Sequence, residues 1–258
     1  MKLALLFWIL QIVFIAPSFA SLPLPVADNK EYKHCTFFKE TEGIKYFVDD
    51  LIEELSLRSK LSFVSVNAPI KRCIQMMISG EIDFMSSIHV TAERSNYIDF
   101  LFVTEGFSKI VFYTRKDDGD WLNDYSDLQG KTVGTNVGFS YFDKFDLDDS
   151  VKKLKVNDSK QLPKMLAAGR LDAYVTYDGL MDVDVSVYPE LTKASYLYDV
   201  TMSFLAISKQ SPLQPHRPLL VDTIKGIIGD GTMEKLSNKY MPGFKLPFTS
   251  KDDEAVIQ

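Results

Sequence analysis

Two seven-residue stretches decide the fold: Met77-Ile78-Ser79-Gly80-Glu81-Ile82-Asp83 and Leu166-Ala167-Ala168-Gly169-Arg170-Leu171-Asp172. In each, a helical run stops at a glycine, which can take the left-handed cap conformation. Two residues later an apolar-Asp pair opens a strand. The pattern recurs 89 positions on, from Gly80 to Gly169, and the units around it match in order, so the reading is of two similar lobes.

Outward from the first stretch, Gly43 to Lys60 carries Ile44, Phe47, Val48, Leu51, Ile52 and Leu55 at spacings of three and four, which predicts an amphipathic helix. Leu61 to Val66 alternates and reads as a strand, Pro69 opens a helix ending at Gly80, and Ile82 to Ser86 is a buried strand. Around the second stretch, Lys131 to Thr135 is a strand, Gly138 to Phe145 a short helix, and Lys153 to Val156 a strand. Asp158 caps a helix running to Ala168, and Leu171 to Thr176 is a strand. Alternation of helix and strand predicts α/β lobes, each a mostly parallel sheet flanked by helices. Ser108 to Thr114 and Met202 to Ser208 read as two connecting strands that carry the chain out and back, a two-strand hinge. Residues 21–108 then form lobe 1, 109–201 lobe 2, and 202–244 return to lobe 1 with helices over Pro215 to Ile228 and Thr232 to Tyr240. Residues 245–258 form a tail.

The first 20 residues read as a signal peptide: Lys2, an apolar run from Leu3 to Ile15 interrupted by Gln11, a break at Pro17, and small residues at Ser18 and Ala20. Cleavage after Ala20 predicts an exported, periplasmic protein. In an oxidising compartment Cys35 and Cys73 could bridge, a cross-link worth roughly 4 kcal/mol in the chain-entropy model, or they are two buried thiols. The chain of 258 residues has 29 Lys and Arg against 35 Asp and Glu, a formal charge of -6. Nothing resembles a basic stripe, so nucleic acid is not an expected partner.

In α/β folds, ligands gather at the carboxyl ends of strands. Those ends select Ser86, Ser87, His89 and Arg94 after the first buried strand, and Asn136, Val137, Gly138, Phe139 and Ser140 after the second-lobe strand. Tyr177 and Asp178 follow Leu171 to Thr176, and Asp28 follows a candidate edge strand over Leu22 to Ala27. Arg suits a bidentate grip on a carboxylate, Asp an ammonium, and backbone N–H groups the remaining oxygens. The ligand expected is a small molecule bearing a carboxylate.

The stretch from Gly43 to Tyr240 resembles the bacterial extracellular solute-binding proteins of family 3, the polar amino-acid type that serves transporters. The carrying passages are Gly80 to Asp83, Ser86 to Arg94, Asp99-Phe100, Asp127 to Gly134, Gly169 to Ala173, and Asp230-Gly231-Thr232 leading to Lys239-Tyr240. The resemblance implies a periplasmic-binding-protein-like fold (type II), with Arg94 on the ligand's α-carboxylate. It implies Ser86 and Ser87 as hydroxyl or backbone contacts, and Gly138, Phe139 and Ser140 as a donor turn. His89 stands where a small hydroxyl residue is usual, Ile70 where an aromatic is often found, and the ammonium-binding Asp falls at Tyr177, with Asp178 one position late. His89 is either a hydrogen-bonded loop residue or a cleft donor that titrates. Lys71 and Arg72 are either solvated or extra anion contacts.

An amino-acid-binding protein for ABC-type transport is the leading reading. An inner-membrane permease or a sensor is the expected partner, the chain a monomer, and no enzyme activity, cofactor or metal is expected. The scattered His34, His89 and His216 show no ligand spacing, and the acidic runs Asp117 to Asp120 and Asp146 to Asp149 read as solvated loops. The alternatives are a dehydratase or lyase on the same scaffold, with His89 or Asp178 as general acid, and a ligand-sensing module for a membrane receptor.

Overall fold

The computed structural model describes residues 30–38, 43–178 and 185–242. The leader 1–20, the Leu22 to Ala27 strand, Asp28 and the tail 245–258 lie outside them.

The first described strand is β1 (Glu31–Thr36), a segment not read as a strand above. It lies between β2 (Ser62–Asn67) and β3 (Phe84–His89), parallel to both. Helix α1 (Gly43–Ser59) packs its apolar stripe inward, and α2 (Ile70–Ser79) runs from Pro69 to a left-handed cap at Gly80, φ 72°. In the second half, β5 (Thr132–Asn136) pairs in parallel with β6 (Lys152–Val156) and β7 (Ala173–Tyr177). Here α3 is Asp143–Asp146 and α4 is Gln161–Ala167. The C-terminal helices are α5 (Arg217–Gly229) and α6 (Thr232–Tyr240), and α1 packs on both.

The two connecting strands are far longer than expected. β4 (Ile98–Arg115) and β8 (Leu191–Ser208) each run 18 residues and pair antiparallel along their whole length. They join the halves into one ladder, ordered β2-β1-β3-β8-β4-β7-β5-β6. The C-terminal part of β8 pairs with β3, and the C-terminal part of β4 with β7, both antiparallel. Each half is therefore a mixed sheet, three parallel strands completed by the long antiparallel pair. The register slips between Glu105 and Ser108, midway along the pair, where extra residues on one strand bend it. The result is a two-lobed α/β fold joined by two strands.

The repeated stretch builds the same local structure twice. Glu81 N–H bonds Met76 C=O at 2.9 Å, and Arg170 N–H bonds Met165 C=O at 2.9 Å, around Gly80 and Gly169, both left-handed. One Asp carboxylate then accepts the N–H of the neighbouring strand: Lys33 N–H to Asp83 at 2.7 Å, and Thr132 N–H to Asp172 at 2.8 Å. Each Asp returns its own N–H to the carbonyl of that strand residue.

Cys35 and Cys73 form a disulfide, Cα–Cα 5.8 Å, that pins α2 to β1. It sits in a core pocket with Met76, Met77, Ile82 and Met85. One expected helix is corrected. Gly138 to Phe145 does not form one helix, because Gly138 takes φ 83° and Phe142 is extended; only Asp143–Asp146 is helical. Helix α4 likewise starts at Gln161, with Lys160 as its N-cap, while Asp158 accepts the Lys160 N–H at 3.1 Å. No described helix is long and apolar enough to cross a membrane.

Candidate functional site

The parallel strands of both halves end at one place. Thr36 ends β1 and leads to Phe37; Asn67 ends β2 and leads through Ala68 and Pro69 into α2. Asn136 ends β5 and leads to Val137 and Phe139; Val156 ends β6 and leads to Asn157 and Ser159. Asn67, Asn136 and the residues that follow each strand end, with Ile70, Lys71, Arg72 and Gln75 from the first turns of α2, line a cavity of about 510 Å³ between the halves. That size falls in the range of small-molecule sites. Phe37 and Phe139 meet edge to face across it, ring centroids 6.0 Å apart. Asn136 is 7 % exposed, and its Oδ1 has no hydrogen-bond partner.

Arg94 lies behind this wall. It opens a short 3₁₀ turn after β3 and is buried, its guanidinium donating to the carbonyl of His89 at 2.7 Å and of Gly138 at 3.3 Å. Burial lowers its pKa from the ordinary arginine value, while Tyr177, Tyr97, Asp146 and Glu93 pull the other way. Gly138 is where the halves touch. A Cβ there would stand 2.9 Å from Ile70 Cγ2 and 3.0 Å from the Lys71 backbone nitrogen, and φ is already 83°. Only glycine fits both demands.

Ser86 and Ser87 lie within β3, which runs on to His89 and not to the end at Ser86 expected from the sequence; both are buried, neither lines the cavity, and Ser87 holds a left-handed φ of 54°. Ser86 Oγ hydrogen-bonds His34 Nε2 at 3.1 Å, and the other ring nitrogen meets Ser65 Oγ at 3.4 Å. His34 thus ties three strands together through their side chains. Burial pushes its pKa down to about 3, so it is neutral at physiological pH.

Tyr177, not Asp178, turns toward the site. Its hydroxyl donates to the Ser140 carbonyl, its ring stacks on Tyr141 at 5.8 Å, and Phe139 lies 6.1 Å away. Burial raises the phenol above its ordinary pKa. Asp178, half-exposed, pairs with Lys193 of β8 instead. The parity of β7 explains this: neighbours on a strand face opposite sides.

The acidic run at Asp146 is not merely solvated. Asp146 accepts Ser140 Oγ at 2.9 Å and Tyr141 N–H at 2.8 Å, and so holds the turn that carries Phe139. Burial raises its pKa, opposed by those two hydrogen bonds and by Arg94 and Lys153. Of the strand-end residues selected from sequence, Asn136, Val137 and Phe139 line the cavity, as do Lys71 and Arg72. Arg94, Gly138, Ser140 and Tyr177 back the same wall, Asp178 faces elsewhere, and Asp28 lies outside the described residues. Phe37 and Asn157 were missed, the first because β1 was. No cluster that could hold a metal occurs among the described residues.

Comparison with known proteins bears on the family and the fold. The model of the bacterial extracellular solute-binding proteins, family 3, matches residues 24–243. The chain belongs to that family. Its members are binding proteins, and their extracellular character goes with a periplasmic or extracellular location. A probable histidine-binding protein of Campylobacter jejuni subsp. jejuni serotype O:2 is 29% identical over 119 residues, 46% of this chain and 45% of the relative. The chain thus spans under half the length of the curated relative it matches. Among solved structures, a mutant of ArgBP from T. maritima superposes with TM-score 0.67 at 21% identity, covering 81% of this chain and 94% of that one. A histidine kinase sensor domain with similarity to periplasmic binding proteins gives TM-score 0.69 at 13% identity, covering 84% and 98%. These likenesses establish the two-lobed periplasmic-binding-protein fold.

Proposed function

We propose that this family 3 protein is exported by a cleaved leader over residues 1–20 and works in the periplasm as a monomeric receptor. Its two lobes, 21–108 with 202–244 and 109–201, close on a small carboxylate-bearing solute, an amino acid or related compound. It hands the solute to an ABC-type permease and does not transform it. The observation that carries this reading is Arg94: a buried cation that bridges the two halves directly behind the cavity, through the carbonyls of His89 and Gly138. A guanidinium so placed can exchange a backbone carbonyl for a ligand carboxylate, with the gain of a charge-assisted pair. Ser86, Ser87, His89, Ser140 and the Gly138-Phe139 turn are the further contacts this reading assigns, of which Phe139 lines the cavity. A solute that binds both halves favours the closed form through contacts the open form lacks.

The names of similar proteins support an amino-acid-sized ligand, since they include an ancestral arginine-binding protein bound to arginine. A second reading, a sensing module for a membrane receptor, draws on the sensor domain of the same fold. Recovery of cross-linked membrane partners separates the two: a permease supports transport, a kinase the sensor. Thermal melting against amino acids, dicarboxylates and other small acids tests the ligand class. At a concentration 100-fold above Kd, a bound solute adds about 2.7 kcal/mol of stability. For a chain of this size that is a rise in Tm of about 5–11 °C. No rise with any carboxylate would sink the proposal.

A further inference from the structure

The cavity is lined by cations, amides and apolar side chains. Among the described residues, none that lines it is Asp or Glu. Taking an ammonium out of water calls for a counter-charge beside it, because an unpaired buried charge is costly. Among the described residues, the carboxylates near the wall are already engaged. Asp146 accepts Ser140 Oγ and Tyr141 N–H, Asp178 pairs with Lys193, Asp158 accepts Lys160 N–H, and Glu81 meets Arg72 at 3.3 Å. The Tyr177 hydroxyl, the polar group β7 turns toward the site, is spent as a donor on the Ser140 carbonyl.

The other side of the balance is positive. Lys71 projects from the first turn of α2 at the cavity wall, forms no ion pair among the described residues, and has no acidic neighbour in that turn. Arg72 follows it, its contact with Glu81 largely exposed. The amino end of a ten-residue helix, with its positive dipole, faces the same space. A second observation points to a ligand: Asn136 Oδ1, buried in the wall, lacks a partner. The acceptors of the wall, Asn136 Oδ1 with the Asn67, Gln75 and Asn157 amides and Ser159, are all neutral: they satisfy a hydroxyl but bring no counter-charge to an ammonium. Phe37, Ile70 and Phe139 supply an apolar surface for the rest of the molecule.

We infer that this cavity selects organic acids with an apolar body and no ammonium group, a 2-hydroxy acid above all, over the zwitterionic amino acid of the same skeleton. The inference rests on the carboxylate-receptor reading and narrows its ligand class.

Matched sets test it by calorimetry on the full mature protein: L-phenylalanine against 3-phenyllactate and 3-phenylpropionate, L-leucine against 2-hydroxy-4-methylpentanoate, and L-glutamate against 2-hydroxyglutarate. In at least one set the hydroxy acid is expected to bind tenfold or more tighter than the amino acid. Lys71→Gln, at an exposed position, is expected to weaken that acid about tenfold while the unliganded Tm stays unchanged. An amino acid that binds as tightly as, or more tightly than, its hydroxy counterpart in every set overturns the inference and leaves the carboxylate-receptor reading standing. Binding by no member of any set overturns both.

Discussion

Arg94 and Gly138 lie in different halves of the molecule, and the guanidinium of the first donates to the backbone carbonyl of the second at 3.3 Å. The same side chain holds the carbonyl of His89 at 2.7 Å in its own half. One buried cation thereby fastens the floor of the cleft, while Gly138 itself rests on Ile70 and Lys71 at the start of α2. Removing the guanidinium leaves two carbonyls without a donor, at about 1–3 kcal/mol each where they are buried. Arg94→Met should therefore lower stability by about 2–4 kcal/mol in urea denaturation, and Arg94→Lys by less. An unchanged midpoint in both variants would show that the latch carries no energy.

The contact at Gly138 makes a geometric prediction. Alanine there must take an unfavourable left-handed φ and place a methyl within 3.0 Å of the Lys71 nitrogen. Gly138→Ala should push the halves apart, raise the radius of gyration measured by small-angle X-ray scattering, and weaken solute binding. An identical scattering curve would argue against closure through this turn.

The Asp83 and Asp172 pair tests the internal repeat. Each carboxylate receives the N–H of the adjacent strand at nearly the same distance, 2.7 and 2.8 Å. Asp83→Ala and Asp172→Ala should each cost about 1–3 kcal/mol, Asp83 more because it also accepts Ser211 Oγ at 2.6 Å. The sites are in separate halves, so the double variant should be additive within about 0.5 kcal/mol. Strong coupling in denaturation experiments would mean that the halves do not act as separate units.

His34 predicts the acid limb of the stability curve. Its folded pKa, about 3, lies below the ordinary histidine value of 6.5 because burial disfavours the imidazolium. The unfolded chain then binds more protons below pH 6.5, so the contribution is full above that pH and is lost as pH falls toward 3. Between pH 7.5 and 5 the loss is about 2 kcal/mol. Urea titrations of wild type and His34→Gln should show that difference in slope, and parallel curves would place the imidazole in water.

Much of this was legible because some residues permit only one backbone solution. Gly80 and Gly169 mark helix ends, and the Asp three residues on marks the strand that follows, so the duplicated lobes could be read directly. Strand β1 could not. Its sequence Glu-Tyr-Lys-His-Cys-Thr looks polar, and only the structure reveals that His34 is buried between Ser65 and Ser86. Losing β1 also lost Phe37, one wall of the cavity. The choice between Tyr177 and Asp178 depended on where β7 begins, since a shift of one residue exchanges the faces. The turn at Gly138 was read as helix because the extended Phe142 and the support from Asp146 have no local signature.

The disulfide connects stability to the site. Cys73 lies in α2, whose first turn forms the cavity, and Cys35 in β1, which ends at it. Replacing both by serine should cost about 2–5 kcal/mol in thermal or urea unfolding, and solute affinity should fall with it as Ile70 and Lys71 loosen. A variant with native Tm would show that packing alone holds α2.

Calorimetry with Arg94→Met tests the central claim most directly, using whichever carboxylate most raises the Tm of the wild type. Wild type should bind one equivalent, and the variant, folded by circular dichroism, should bind about 100-fold more weakly, as expected when a charge-assisted pair worth about 3 kcal/mol is lost. Equal affinity in the two proteins would contradict the account, because the buried cation between the lobes would then have no part in holding the solute.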